Sequence, residues 1–167
     1  MIADCYKIAQ SIEVILSGRG WSVATAESCT GGGVAAALTA VPGSSSCVKG
    51  GIVAYTEEIK MRLLGVKPDT LRIFGVVSQQ TVEEMAQGAM KSMNSNFAVA
   101  TSGIAGPSGG TDENPVGTIW IAVASSSQIC THCIRDFNKG RDENTQNAVL
   151  VTLKMLQKVV ENEENQL

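Results

Sequence analysis

A serine stands directly before a glycine-rich turn in the run Thr25-Ala26-Glu27-Ser28-Cys29-Thr30-Gly31-Gly32-Gly33, and this run narrows what the chain can fold into more than any other. It follows an expected strand, Trp21 to Ala26, and opens an expected helix, Val34 to Ala40. Strand, tight turn and helix in succession belong to layered α/β domains. The backbone N–H groups of such a turn can point at an anion. A second run, Val53-Ala54-Tyr55-Thr56-Glu57-Glu58-Ile59-Lys60, follows the end of another expected strand, Ile52 to Tyr55. It places a lysine one turn into the next helix. A hydroxyl nucleophile and a lysine base delivered by two strand ends are geometrically compatible with a hydrolase site.

The rest of the chain keeps the same alternation. Asp4 suits the N-cap of a first helix with apolar residues at Ile8, Ile12, Ile15 and Leu16, stopped by Gly18 to Gly20. Pro42-Gly43 ends the second helix, and the second strand reaches back to Val48, with Gly50-Gly51 suited to a bulge. Thr56 caps a helix to Leu64, Pro68 to Phe74 is a short helical piece, and Ser78 caps a helix to about Met93. Phe97 to Thr101 reads as a strand entering a glycine-rich loop. Thr118 to Ala124 and Ile129 to Phe137 read as a hairpin, and a last helix starts at Asp142 or Asn144, reaches about Val160 and frays from Glu161 to Leu167. Helices and strands that alternate, then a hairpin, predict a three-layer α/β/α sandwich with a mixed sheet. No repeat, low-complexity stretch or linker divides residues 1–167, so one domain is expected.

Composition removes several function classes. A net charge of −3 without a basic stripe, and aromatics at 4%, argue against nucleic acid as a partner. No apolar run reaches the roughly 18 residues of a membrane span, and Met1 to Leu16, with Lys7 as its one basic residue, does not read as a signal peptide. A cytoplasmic protein is expected. The five cysteines lack a disulfide spacing and read as reduced thiols. Cys130-Thr131-His132-Cys133 holds the single histidine, but without a second ligand pair it does not predict a metal site.

Ser28 needs a base to become nucleophilic. His132 lies far along the chain in a predicted strand, so no Ser-His-Asp triad is indicated, and Lys60 remains as the base. To act it must be neutral, which requires burial or a neighbouring positive charge. The plain alternative is a capping serine and a solvated helical lysine. Ser46-Cys47-Val48-Lys49 matches S-x-x-K literally, but it looks like strand entry rather than helix and lacks the companion motifs of penicillin-binding proteins. Cys29 is intrinsically the stronger nucleophile, yet adjacent side chains usually diverge, and a buried structural thiol is the expected role. Arg141 can bind a phosphate through its two-pronged guanidinium at the start of the last helix, or be an ordinary surface arginine.

These runs, with Gly103-Ile104-Ala105-Gly106-Pro107-Ser108-Gly109-Gly110-Thr111 and Pro115-Val116-Gly117-Thr118, closely resemble the CinA C-terminal domain family over about Thr25 to Arg141. The resemblance implies an amidohydrolase that converts nicotinamide mononucleotide to nicotinic acid mononucleotide and ammonia, without metal or cofactor. It places Ser28 and Lys60 on the family's Ser/Lys dyad and Tyr55 in the same site, where its hydroxyl would pass a proton or orient the lysine. Thr30, Gly31 and Gly32 in one donor-rich turn, and Ser102, Gly103, Gly106, Gly109 and Gly110 in the other, would hold an oxyanion and a phosphate, with Arg141 on the phosphate. The chain departs from the family at Lys139-Gly140, where Gly-Asp is frequent, and at Asn114, where lysine is frequent. The partner expected is a small nucleotide. Self-association into a homo-oligomer is left open. The competing reading is a non-catalytic nucleotide- or phosphate-binding module acting through a protein partner, which needs neither Ser28 nor Lys60.

Overall fold

The computed structural model describes residues 2–135 and 137–166. Its elements are α1 (Ile2–Arg19), β1 (Val23–Glu27), α2 (Gly33–Thr39), β2 (Val48–Val53), α3 (Glu57–Leu64), α4 (Pro68–Phe74), α5 (Gln79–Met93), β3 (Phe97–Gly103), β4 (Ile119–Ala124), β5 (Ile129–Ile134) and α6 (Arg141–Asn165), with a 3-10 turn at Ser44–Ser46. The strands form one sheet in the order β2-β1-β3-β4-β5. β1 is parallel to β2 and β3, while β3, β4 and β5 pair antiparallel. The mixed sheet and the closing hairpin match the expectation from sequence.

Alternation along the strands sorts their side chains by size. Val23, Phe97, Val99 and Val123 pack with Ile12, Leu16, Val34, Leu38, Leu153 and Leu156 of α1, α2 and α6. The other face is almost all alanine, with Ala24, Ala26, Ala98, Ala100, Ala122 and Ala124 against Val82, Met85, Ala86 and Ala89 of α5 and Leu64 of α3. Small residues let α5 sit close to the sheet, and α5 in turn presses on α3. At Gly88 the two helices meet so closely that an added Cβ would stand 1.8 Å from the Leu64 carbonyl oxygen. Elsewhere in a helix, glycine to alanine gains up to about 1 kcal/mol. Here a backbone clash reverses the sign. Gly88→Ala is expected to cost about 3 kcal/mol, at the upper end of overpacking, read as a lower denaturation midpoint with an unchanged slope.

Boundaries shift where side chains outvote local pattern. α1 begins at Ile2, so Asp4 lies in its first turn and does not cap it. The strand irregularity falls one residue before the glycine pair, since Val23 pairs with Val48 and Ala24 with Gly50. β2 ends at Val53 and β5 at Ile134, each short of the expected end, with Asp136 outside the described residues. α6 starts at Arg141 and continues to Asn165 instead of fraying at Glu161. Its last turns are held from outside the helix. Glu163 accepts from Ser125 Oγ at 2.6 Å and from Ser127 Oγ, and Arg19 Nε lies 3.1 Å from Glu164 Oε1. Leu167 lies outside the described residues. No helix among the described residues is long and apolar enough to cross a membrane.

Candidate active site

The carboxyl ends of parallel strands are where open α/β sheets form crevices. In this chain β1, β2 and β3 end at one cleft of about 320 Å³, lined by Ser28, Cys29, Tyr55, Glu57, Lys60, Val76, Val77, Ser102, Gly103, Ala105 and Arg141. Ser28 follows β1 directly, and its N–H donates to the Thr101 carbonyl of β3 at 2.9 Å. Thr56 caps α3 through an N–H bond from Ile59, which sets Lys60 on the helix side that turns inward.

Lys60 is only 2% exposed. Its Nζ lies 2.9 Å from Ser28 Oγ and donates to the Ala54 carbonyl at 2.7 Å. Burial pulls its pKa below the ordinary lysine value of 10.5, because charging an amine there forfeits hydration. The opposing pulls come from the charges of Cys29 and Glu57. Of these only Glu57 acts near neutrality, since burial pushes the Cys29 thiol up to about 12 and keeps it uncharged. A neutral amine has two N–H bonds and one lone pair, so it can donate to Ala54 and accept from Ser28 at once.

Glu27, named in the sequence run but given no role there, is the residue that sequence reasoning missed. It is 0% exposed. Its carboxylate accepts from Thr30 Oγ1 (2.7 Å), Gly32 N (3.0 Å), Val34 N (3.0 Å) and Ala35 N (2.8 Å). The signal was available: an acidic residue at the end of an apolar strand, just before a helix N-terminus that favours negative charge.

That carboxylate changes the reading of the first glycine turn. The N–H of Gly31 goes to the Ser28 carbonyl, that of Gly32 to Glu27 and that of Gly33 to the Thr30 carbonyl. The turn expected to receive an anion is therefore already filled by an anion of the chain itself. Thr30, Gly31 and Gly32 do not line the cleft. No backbone carbonyl among the described residues accepts from the N–H groups of Cys29 and Thr30.

The second glycine loop divides in the same way. Ser102 and Gly103 line the cleft, and Ser102 Oγ donates to the Val76 carbonyl at 2.7 Å. Gly106, Gly109 and Gly110 do not line it. A Cβ on Gly106 would stand 2.4 Å from Val116 Cγ1, and one on Gly110 2.7 Å from Val116 N. Gly106 and Gly110 let the loop fold onto Val116. Arg141 reaches the cleft, donating to the Gly106 carbonyl at 2.8 Å and to the Tyr55 hydroxyl at 2.9 Å. Tyr55 is 57% exposed, so it is not core packing, and its hydroxyl meets Arg141 rather than Lys60 or Ser28. Asn144 does not start α6. It is buried and ties the loop ends together, donating to the Ala105 carbonyl at 3.0 Å and accepting from Lys139 N at 3.0 Å.

Fold and cleft together define an α/β protein whose parallel strand ends bring a serine against a buried lysine. The chain belongs to the CinA C-terminal domain family, whose model matches residues 5–160. It is 48% identical over 139 residues to a CinA-like protein of Shewanella pealeana, covering 83% of this chain and 33% of that one. The same figures describe its similarity to the nicotinamide-nucleotide amidohydrolase PncC of Shewanella oneidensis. The chain thus spans about a third of the length of these relatives. Among solved structures, the competence/damage inducible protein CihA of Agrobacterium tumefaciens aligns with a TM-score of 0.91 at 42% identity, covering 95% of this chain and 96% of that one. A CinA superfamily protein of Escherichia coli aligns with a TM-score of 0.88 at 31% identity, over 93% and 91%.

Proposed function

We propose that the protein is an amidohydrolase that deamidates nicotinamide mononucleotide through Ser28 and Lys60. The observation that carries this reading is the 2.9 Å contact between Lys60 Nζ and Ser28 Oγ, two buried side chains that line one cleft. The name of the Shewanella oneidensis relative supports the substrate class.

In this reaction neutral Lys60 takes the proton of Ser28 as Oγ attacks the carboxamide carbon. The negative charge that develops on the carbonyl oxygen is met by the N–H group of Cys29, the residue after the nucleophile and one that lines the cleft. It stands in place of the Thr30 to Gly32 donors expected from sequence, of which Gly31 and Gly32 already have acceptors and none lines the cleft. Lys60 returns the proton to the departing nitrogen, releasing ammonia and leaving an ester on Ser28. A water then gives a proton to Lys60 and its oxygen to the acyl carbon. Ser28 is reprotonated and nicotinic acid mononucleotide leaves.

Arg141 binds the phosphate, held in place by the Tyr55 hydroxyl and the Gly106 carbonyl. Tyr55 accordingly serves substrate binding through Arg141, with no part in proton transfer. Arg141→Ala is expected to raise KM about ten- to a hundredfold, the equivalent of a charge-assisted bond of 1.5–3 kcal/mol, and to change kcat less, because a phosphate contact stabilises ground and transition states alike. An equal loss on a nicotinamide substrate without phosphate would refute the assignment. The reading as a whole is tested by assaying ammonia release from a panel of pyridine nucleotides.

A further inference from the structure

Glu27 is the one fully buried carboxylate among the described residues, yet the reaction above gives it no chemical step. Burying a carboxylate is costly unless it is fully satisfied. Here three donors meet Oε2 and one meets Oε1, and bonds to a charged acceptor are the stronger kind. The bonds run in two directions from the residue beside Ser28. Those from Gly32, Val34 and Ala35 lock the turn to the start of α2. The one from Thr30 locks it to β3, because Thr30 Oγ1 also lies 2.7 Å from Thr101 Oγ1, and the Thr101 carbonyl accepts from Ser28 N. Without this clamp the turn would rest on Gly31 and Gly32, both at positive φ and the most pliable residues in it.

We propose that Glu27 is a positioning residue, which clamps the Ser28 turn so that the hydroxyl meets Lys60 and the Cys29 N–H faces the reacting carbonyl. The proposal rests on the reading of Ser28 as the nucleophile. A carboxylate that merely capped α2 would affect stability and leave the reactivity of folded protein unchanged.

The test compares Glu27→Gln, Thr30→Val and the double variant with wild type. Glutamine keeps the shape but sets an N–H pair where a donor already points. Valine keeps the threonine volume and removes the link to Glu27. Three rates are measured on protein shown to be folded by circular dichroism: kcat and KM for nicotinamide mononucleotide, and labelling of Ser28 by a fluorophosphonate. In labelling, Ser28 Oγ bonds to phosphorus, fluoride leaves and Lys60 takes the proton. Each single variant should lose about 10- to 100-fold in kcat and in labelling rate, the scale of a small misplacement of reacting groups. KM should stay within about threefold, and the double variant should lose less than the product of the singles, because both cut one clamp. Folded Glu27→Gln with both rates within about threefold of wild type overturns the proposal. If Glu27→Gln does not fold, Thr30→Val decides by the same criteria. Wild-type protein that is labelled at Ser28 but releases no ammonia would refute the substrate, and the labelling rates alone would then decide the role of Glu27.

Discussion

Ser28→Ala is expected to release ammonia from nicotinamide mononucleotide about 10³-fold or more slowly than wild type, while still binding the mononucleotide. The hydroxyl contributes one side-chain bond, to Lys60, so its removal leaves the turn and the sheet intact. The residual rate would be what the Cys29 N–H and substrate positioning supply on their own. Cys29 cannot take over. It belongs to a buried cluster with Ala105, Ile119 and Ile121, and burial pushes its pKa up to about 12, so almost none is thiolate near neutrality. Cys29→Ala should therefore stay active. Ser28→Ala within about tenfold of wild type would remove Ser28 from the mechanism and bring Cys29 forward.

Lys60→Arg is expected to be as inactive as Lys60→Met. Arginine keeps the positive charge but cannot give up a proton near neutral pH, so the pair separates a base from an electrostatic contact. The pH dependence follows from the direction of the shift. Burial lowers the lysine pKa below 10.5, so wild-type activity should rise with pH through that lowered value and level off above it. Stability moves the same way. Between the lowered pKa and 10.5 the unfolded chain binds more protons at Lys60 than the native one, so stability rises with pH across this window. Below the window both states are protonated and the slope from Lys60 vanishes. Lys60→Met should lose this slope while remaining folded. Substantial activity in Lys60→Arg would make the lysine a charge contact only, and the base would have to be sought elsewhere.

The layered fold was legible in the sequence because its signals are local. Thr56 and Ser78 cap their helices as the sequence indicates, and the alternation of Val123 with Ala122 and Ala124 marks a strand with two buried faces. The motifs also brought Ser28 and Lys60 to adjacent strand ends. What the sequence does not carry is the burial of Lys60. With Glu57 and Glu58 beside it the lysine reads as part of a solvated helix face, and only the assembled fold, in which its amine meets Ser28 and the Ala54 carbonyl, takes it out of water. The roles of the glycines were not legible for a related reason. Whether a glycine admits a ligand or the protein's own backbone depends on what stands opposite, and for Gly106 and Gly110 that is Val116, several residues further along the chain. Glu27 went unread because its four partners become neighbours only once the turn has closed.

The most direct measurement is to run the reaction of wild-type protein with nicotinamide mononucleotide in hydroxylamine and quantify both products. An acyl group on Ser28 would be intercepted, giving the nicotinyl hydroxamate of the mononucleotide at the expense of nicotinic acid mononucleotide, with ammonia release matching the sum of the two. Ser28→Ala and Lys60→Arg should form neither product. Ammonia release with no hydroxamate at any hydroxylamine concentration would contradict the Ser28 ester, and nucleotide binding with no ammonia release at all would contradict the enzyme and leave a binding module.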